Sequence, residues 1–285
     1  MPEVEAYLRP RSVEEALAAM ATHGDRTRIL AGGTSLVPGR GGRPVVIVDL
    51  RGTGLDRIEV RDDGLHVGAM ATCSALRRHF CGRFHTAMSD AAGAVGTSVL
   101  RNHVTVGGNA VMAYAWSDLP PALLCLGARF VLAWVRAGVI EAAAFYTEHP
   151  TRVLGPGTLL TAAIVPPDGP GQGSAFLKFT RNAGDHAVAS MAARLTLADG
   201  RIAEARIVAG GMRGLPQDLA AAAGSLVGHA PGPDAFARAG EVASGEARAM
   251  EDFKASAGFR QNLAGALAED ALAIAAARAT GEEKP

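Results

Sequence analysis

Ile29-Leu30-Ala31-Gly32-Gly33-Thr34-Ser35-Leu36-Val37-Pro38 is an apolar run that breaks into two glycines and two hydroxyl residues and stops at a proline. It reads as a strand that ends in an anion cradle. Adjacent glycines let the backbone turn sharply and leave its N–H groups uncovered. Thr34 and Ser35 add hydroxyl donors beside them, the donor set a pyrophosphate requires. The competing reading is an ordinary glycine turn between two strands, since the run matches neither the helix-opening dinucleotide fingerprint nor the phosphate-loop pattern.

A second glycine pair shifts the balance. Thr105-Val106-Gly107-Gly108-Asn109 again sets two bare backbone positions beside a hydroxyl and an amide, and nine residues after Asn109 comes Asp118 in Ser117-Asp118-Leu119-Pro120-Pro121. Two separated cradles imply one long phosphate ligand, a dinucleotide lying in a crevice. Asp118 has two readings. It accepts hydrogen bonds from ribose hydroxyls, or it caps a helix that begins at Leu119-Pro120, where proline in the first turn is favourable.

These motifs carry a resemblance. The runs Ala31 to Leu36, Arg101 to Asn109 and Ser117 to Leu123 resemble the FAD-binding medium subunit of the molybdenum hydroxylases, a group that includes carbon monoxide dehydrogenase and the FAD domain of xanthine dehydrogenase. The likeness continues in order through Gly155 to Gly157, Leu159 to Thr161, Phe176 to Arg181, Gly200 to Arg206 and Gly210-Gly211, and so spans nearly the whole chain. It implies an α+β fold: a two-lobed FAD-binding domain of the vanillyl-alcohol-oxidase/PCMH type over residues 1–168, with lobes of about 1–54 and 55–168, then a small α+β domain over 174–285.

The same resemblance implies a cofactor, FAD, held without a covalent bond. Ala31, Gly32, Gly33, Thr34, Ser35 and Leu36, with Thr105, Gly107, Gly108 and Asn109, would hold the pyrophosphate. Asp118 would support the ribose, Val95 and Leu160 would approach the rings or their linker, and Lys178 would lie near the flavin, where a cation stabilises added electrons. For Lys178 the alternative is an exposed strand lysine with no role. The implied activity is electron transfer: electrons arrive from iron–sulfur clusters of a partner subunit and leave to a small-molecule acceptor, while substrate is oxidised at a molybdopterin centre in a large subunit. Two other readings stay open, a stand-alone flavoenzyme and a non-catalytic descendant of the fold that binds another ligand or partner.

Composition sets the outer bounds. The chain has 285 residues, 48% of them hydrophobic, and its 28 basic and 28 acidic residues cancel, which describes a globular protein long enough for two domains and gives no reason to expect a nucleic-acid binder. No apolar run approaches the roughly 20 residues of a membrane span. The first residues, Met1-Pro-Glu-Val-Glu5, lack a basic segment followed by an apolar one, so a cytoplasmic protein is expected. Cys73, Cys81 and Cys125 are too few for a disulfide framework. Cys73, His79, Cys81 and His85 invite a metal reading, but their spacing fits no zinc or iron–sulfur pattern, and no metal is expected.

Along the chain, Ser12 reads as the cap of a helix from Val13, and Pro44 to Leu50 as a strand buried on both faces. Arg57 to Val60 and Gly64 to Val67 form a hairpin, a helix follows from about Thr72, and Leu123 to Leu132 continues as helix, turn and strand. The Pro- and Gly-rich segment Ile164 to Ser174 is the best boundary. Beyond it, strands at Ala175–Thr180, Val188–Leu197 and Arg201–Ala209 precede helical stretches at Gln217–Ala223, Asp234–Glu246 and Phe259–Ala277. An antiparallel sheet with helices on one face is expected.

Several positions depart from the family pattern. Met112 replaces a polar residue, Thr158 an acidic one, and Tyr114 and Trp116 make the segment before Ser117 unusually aromatic. The two rings either pack between lobes or stack on the cofactor. Arg181 to His186 sets a histidine beside a carboxylate in a strand connection and is read as loop polarity, and His103 either approaches the flavin or serves a turn.

Overall fold

The computed structural model describes residues 3–36, 44–79, 86–133 and 138–282. Val37, Pro38, Cys81 and His85 lie outside them. The first layer comprises β1 (Val4–Leu8), α1 (Val13–His23), β2 (Thr27–Leu30) and β3 (Val45–Asp49), with the strands parallel in the order β1-β3-β2. Ser12 Oγ accepts the Glu15 N–H and starts α1, and Glu14 and Glu15 sit in the first turn, where a helix end favours negative charge. β3 takes the centre because its residues are buried on both faces: Val46 and Val48 on one, Val45 and Asp49 on the other. The loop from Ala31 leaves the end of β2, an edge strand.

The second lobe is an antiparallel sheet in the order β4-β5-β8-β6-β7, made of β4 (Ile58–Arg61), β5 (Gly64–Gly68), β6 (Arg129–Ala133), β7 (Gly138–Glu141) and β8 (Leu159–Val165). Between β5 and β6 run α2 (Cys73–His79), α3 (Thr86–Ala94), α4 (Ser98–Arg101), α5 (Val106–Met112) and α6 (Leu119–Cys125). Two short helices, α7 (Ala142–Phe145) and α8 (Pro150–Leu154), precede β8. Leu76, Met88, Leu119, Leu123, Phe130 and Phe145 are fully buried in one core, with the Phe130 and Phe145 rings 4.4 Å apart.

The third sheet, β12-β11-β10-β9, contains β9 (Gln172–Phe179), β10 (Ala189–Ala198), β11 (Arg201–Gly210) and β12 (Gln217–Asp218). It is followed by α9 (Ala220–Gly224), α10 (Pro233–Glu246) and α11 (Ala257–Thr280). Small side chains let α11 lie close on the sheet: a Cβ on Gly173 would sit 2.1 Å from the Ala275 carbonyl oxygen, and Ala268, Ala271 and Ala275 are fully buried. Strand alternation then divides the sheet between two cores. Ala175, Met191, Ala193, Ile207 and Ala209 face α10 and α11, whereas Phe176, Ala192 and Val208 join the core of the second lobe.

Two expectations change. The sheet has helices on both faces, α10 and α11 on one and α3 and α6 of the second lobe on the other; Cys125 Sγ reaches the Arg206 carbonyl, and Arg278 on α11 binds Asp90 on α3 at 2.7 Å. Gln217 and Asp218 are strand rather than helix, because Ala209 and Val208 offer them a ladder and the Gln217 side chain bonds the Arg213 and Arg248 carbonyls. Those tertiary bonds override local helical propensity. No helix among the described residues is long and apolar enough to cross a membrane.

Candidate functional site

The two glycine pairs meet in space. A Cβ on Gly32 would lie 1.6 Å from the His103 carbonyl oxygen and 3.5 Å from Thr105 Cγ2, and one on Gly108 would lie 3.9 Å from the Ala31 Cβ. Ala31, Gly32, Arg51, Asp56, His103 and Thr105 line part of a cleft of about 400 Å3 between the first two lobes. Gly33 has φ +76°, a backbone glycine tolerates without strain, and Gly33 and Thr34 are exposed. Among the described residues, none of the N–H groups from Gly32 to Leu36 has a protein acceptor.

The second pair is different, and the expectation of bare backbone there is corrected. Thr105 is the N-cap of α5, and the glycines occupy its first turn. The Val106 N–H donates to the Ala71 carbonyl (2.9 Å), Gly107 to Ala69 (2.9 Å), Gly108 to Thr105 Oγ1 (3.1 Å) and Asn109 to the Thr105 carbonyl (2.9 Å). Every donor is used. Gly107 is required by packing, since a Cβ there would sit 2.6 Å from that of Ala69.

Asn109 reaches across to α6, where its Oδ1 accepts the Leu119 N–H at 3.2 Å. Asn109 therefore caps α6, and Asp118, which makes no capping bond, is free for another role. The Asp118 carboxylate is buried with Lys178, whose Nζ donates to Asp118 Oδ2 (2.9 Å) and to the Ala94 carbonyl (2.6 Å). Lys178 is thus not an exposed strand lysine. Burial raises the Asp118 pKa and the lysine opposes that rise. Asp118 Oδ1 is buried and has no partner among the described residues. A buried acceptor left over from an ion pair is costly without a donor.

The turn after Ala94 is fixed by cations. Arg101 Nη1 donates to the Val95 (3.1 Å) and Gly96 (3.0 Å) carbonyls, next to the Ala94 carbonyl held by Lys178. Sequence reading did not single out Arg101 for this role, because nothing local marks an arginine that will fold back over five or six residues. Val95, Asp118 and Lys178 thereby converge. Leu160 is buried on β8 opposite Leu132, in the same second-lobe core as Val95.

The aromatic segment forms a strap between α5 and α6. Ala113 ends α5 with φ +38°, Tyr114 stacks on Trp116 at 5.1 Å, and the Trp116 ring lies 5.2 Å from that of His186. His186 is thus part of a ring column, more than loop polarity. Burial lowers its pKa, and Lys254 and Lys178 push the same way while Asp185 opposes. His103 contributes its carbonyl to the seat of Gly32, and its side chain is exposed. The Met112 carbonyl faces His149 Nε2 at 3.2 Å, and Thr158 stands just before β8. Cys73 is fully buried, and burial pushes its thiol up to about 12.

Residues 2–168 match the family described as the FAD binding domain in molybdopterin dehydrogenase, and residues 174–275 match the CO dehydrogenase flavoprotein C-terminal domain. The chain is 32% identical over 280 residues to the carbon monoxide dehydrogenase medium chain of Afipia carboxidovorans, covering 96% of this chain and 97% of that one. It is 31% identical over 280 residues to the nicotine 6-hydroxylase medium subunit of Paenarthrobacter nicotinovorans, covering 95% and 97%. Its fold superposes on a crystal structure of Cu,Mo-CO dehydrogenase with a TM-score of 0.90 at 31% identity, covering 98% of this chain and 99% of the other. The chain belongs to the FAD-binding medium-subunit family of the molybdenum hydroxylases.

Proposed function

We propose that this chain is the electron-transfer subunit of a multi-subunit molybdenum hydroxylase, taking electrons from iron–sulfur clusters of one partner and passing them to a small-molecule acceptor, with substrate oxidised on a large molybdopterin subunit. The observation that carries this reading is that two relatives named for unrelated substrates, carbon monoxide and nicotine, align with this chain over nearly their full lengths. What such subunits share is a cofactor site. Recognition of the substrate then belongs elsewhere in the assembly. We read the chain as two domains, 1–168 for the cofactor and 174–285 as its wall, in a cytoplasmic protein.

FAD supplies, when bound, the ability to accept one or two electrons. The N–H groups from Gly32 to Leu36 and the hydroxyls of Thr34 and Ser35 would face the pyrophosphate, with Ala31 and the turn of Thr105, Gly107, Gly108 and Asn109 as the support behind them. Asp118 Oδ1 would accept from a ribose hydroxyl, and Val95 and Leu160 would supply apolar surface. Lys178 holds a positive charge beside Val95, but Asp118 balances it, so its effect on added electrons is that of a shared cation rather than a free one. Water is kept from the pair by the core that buries both side chains.

The test is to purify the chain alone and with its iron–sulfur and molybdopterin partners. The isolated chain is expected to hold one FAD, to remain yellow when offered small substrates without oxygen, and to bleach when a reduced iron–sulfur partner is added. Bleaching by a small substrate with the chain alone would establish a stand-alone flavoenzyme instead. A folded chain that takes up no FAD would overturn both.

A further inference from the structure

Arg260, one turn into α11, takes no part in the contacts assigned to the cofactor, yet its side chain is fully buried. Nη1 donates to the carbonyls of Val188 and Gly211, the latter at 2.8 Å, and Nη2 donates to Asp252 Oδ1 at 2.6 Å. Nε has no acceptor among the described residues. Burying a guanidinium with one donor unused is costly, so the groups it holds must be worth holding.

Those groups are the anchors of the aromatic strap. A Cβ on Gly211, whose φ is +73°, would lie 2.7 Å from the Ala189 Cα and 2.8 Å from the Val188 oxygen, so the two turns are pressed together. From the first turn, the Gly211 N–H donates to the Ala115 carbonyl at 2.7 Å, in the middle of the strap. From the second, His186, two residues before Val188, lays its ring on Trp116. Asp252, the third acceptor, also takes the N–H groups of Lys254 (2.9 Å) and Ala255 (3.2 Å). That turn puts Lys254 Nζ 3.0 Å from Asp185 Oδ1, and Asp185 in turn accepts the His186 N–H at 2.7 Å. One buried cation thus ties together both contacts that seat the strap, and the strap runs directly into buried Ser117 and Asp118.

We propose that Arg260 is a positioning residue for the cofactor cleft, acting through the strap from Tyr114 to Ser117. It holds the Gly211 and Val188 turns so that Trp116 stays closed against His186 and the free oxygen of Asp118 keeps its aim. The inference rests on the reading that Asp118 receives a hydroxyl of FAD. A merely structural Arg260 would join three turns of the C-terminal sheet and leave the strap indifferent to it.

The experiment uses the full chain with Trp134→Phe, so that Trp116 is the sole tryptophan emitter. Acrylamide quenching of Trp116 is measured without FAD, and the FAD dissociation constant is measured separately, for the parent, Arg260→Lys, Trp116→Ala and the double variant. Arg260→Lys is expected to raise the quenching constant about twofold and to weaken FAD about tenfold, and in the Trp116→Ala background to change FAD affinity by less than about twofold, since residues acting through one element are not additive. Unchanged quenching in folded Arg260→Lys, or additive losses of affinity, would overturn the proposal. If Arg260→Lys does not fold, Asp252→Asn loosens the same network from its partly exposed end and is read the same way. A parent that takes up no FAD while quenching still responds to Arg260 would sink the FAD reading of Asp118 and leave the coupling of Arg260 to the strap standing.

Discussion

At Gly32 a side chain would strike the His103 carbonyl, and at Gly107 it would strike Ala69, so both glycine pairs are sites of close backbone approach. Their N–H groups part company. From Gly32 to Leu36 they have no protein acceptor among the described residues, whereas from Val106 to Asn109 each is bonded inside the chain. The first pair follows an edge strand, and its backbone has run out of ladder. The second lies in the first turn of a capped helix, where the strand-exit residues Ala69 and Ala71 take the N–H groups that a helix end leaves open. Room beside a glycine and donors beside a glycine are therefore separate properties. The first motif leaves its donors open, and the second is the buttress it rests on.

Substitutions separate these roles, beginning with the largest effect. Gly32→Val should cost about 3 kcal/mol, roughly a hundredfold in FAD affinity, because relief of the clash with His103 requires the lobes to part. Flavin fluorescence titration measures it, and retained affinity would deny that the two loops must touch. Gly107→Ala should instead lower the stability of the FAD-free protein by about 1–3 kcal/mol, read from urea unfolding. If it leaves that stability intact and abolishes only FAD binding, the second pair is a cradle after all and the contrast fails. Gly33→Ala places a Cβ at φ +76°, a strain of about 1–2 kcal/mol, and should weaken FAD more than it lowers the urea midpoint.

Smaller effects sharpen the buttress side. Asn109→Ala removes the cap of α6 and should cost about 1 kcal/mol of stability, with Asp118 drawn toward the vacated Leu119 N–H. An unchanged urea midpoint would mean that Asp118 is not spared by Asn109. The smallest effect is a pH response of the strap. His186 has a folded pKa below its unfolded value of 6.5, so between the two the unfolded chain binds more protons, stability rises with pH, and the contribution is complete above 6.5. Trp116 emission should accordingly titrate with a midpoint below 6.5, and a midpoint above it would show that the ring column does not shield the imidazole.

Much of this molecule was legible in its residues. The Ser12 cap, the contiguous Val45–Val48 run, the hairpin at Ile58–Gly68 and the three long strands of the third sheet follow from local chemistry, and the structure places them within a few residues of expectation. Gln217-Asp218 was not legible, because a ladder to distant Val208 and Ala209 outweighs alanine-rich surroundings. Nor was the work of Arg101, whose acceptors are backbone carbonyls that any residue presents, or of Arg260, which bonds two such carbonyls besides Asp252.

By itself the sequence determined which runs are apolar enough to be strands or helices, and which chain family its motifs belong to, because periodicity and motif spacing are properties of neighbours along the chain. It named Asp118 and Lys178 without saying that they are partners. Only the tertiary structure decided that Asn109 rather than Asp118 caps α6, that Lys178 is buried against that carboxylate, and that one glycine motif keeps its donors while the other spends them. Hydrogen-bond satisfaction and burial depend on which segments meet, and segments more than 60 residues apart, such as those carrying Gly32 and His103, meet only in the folded chain.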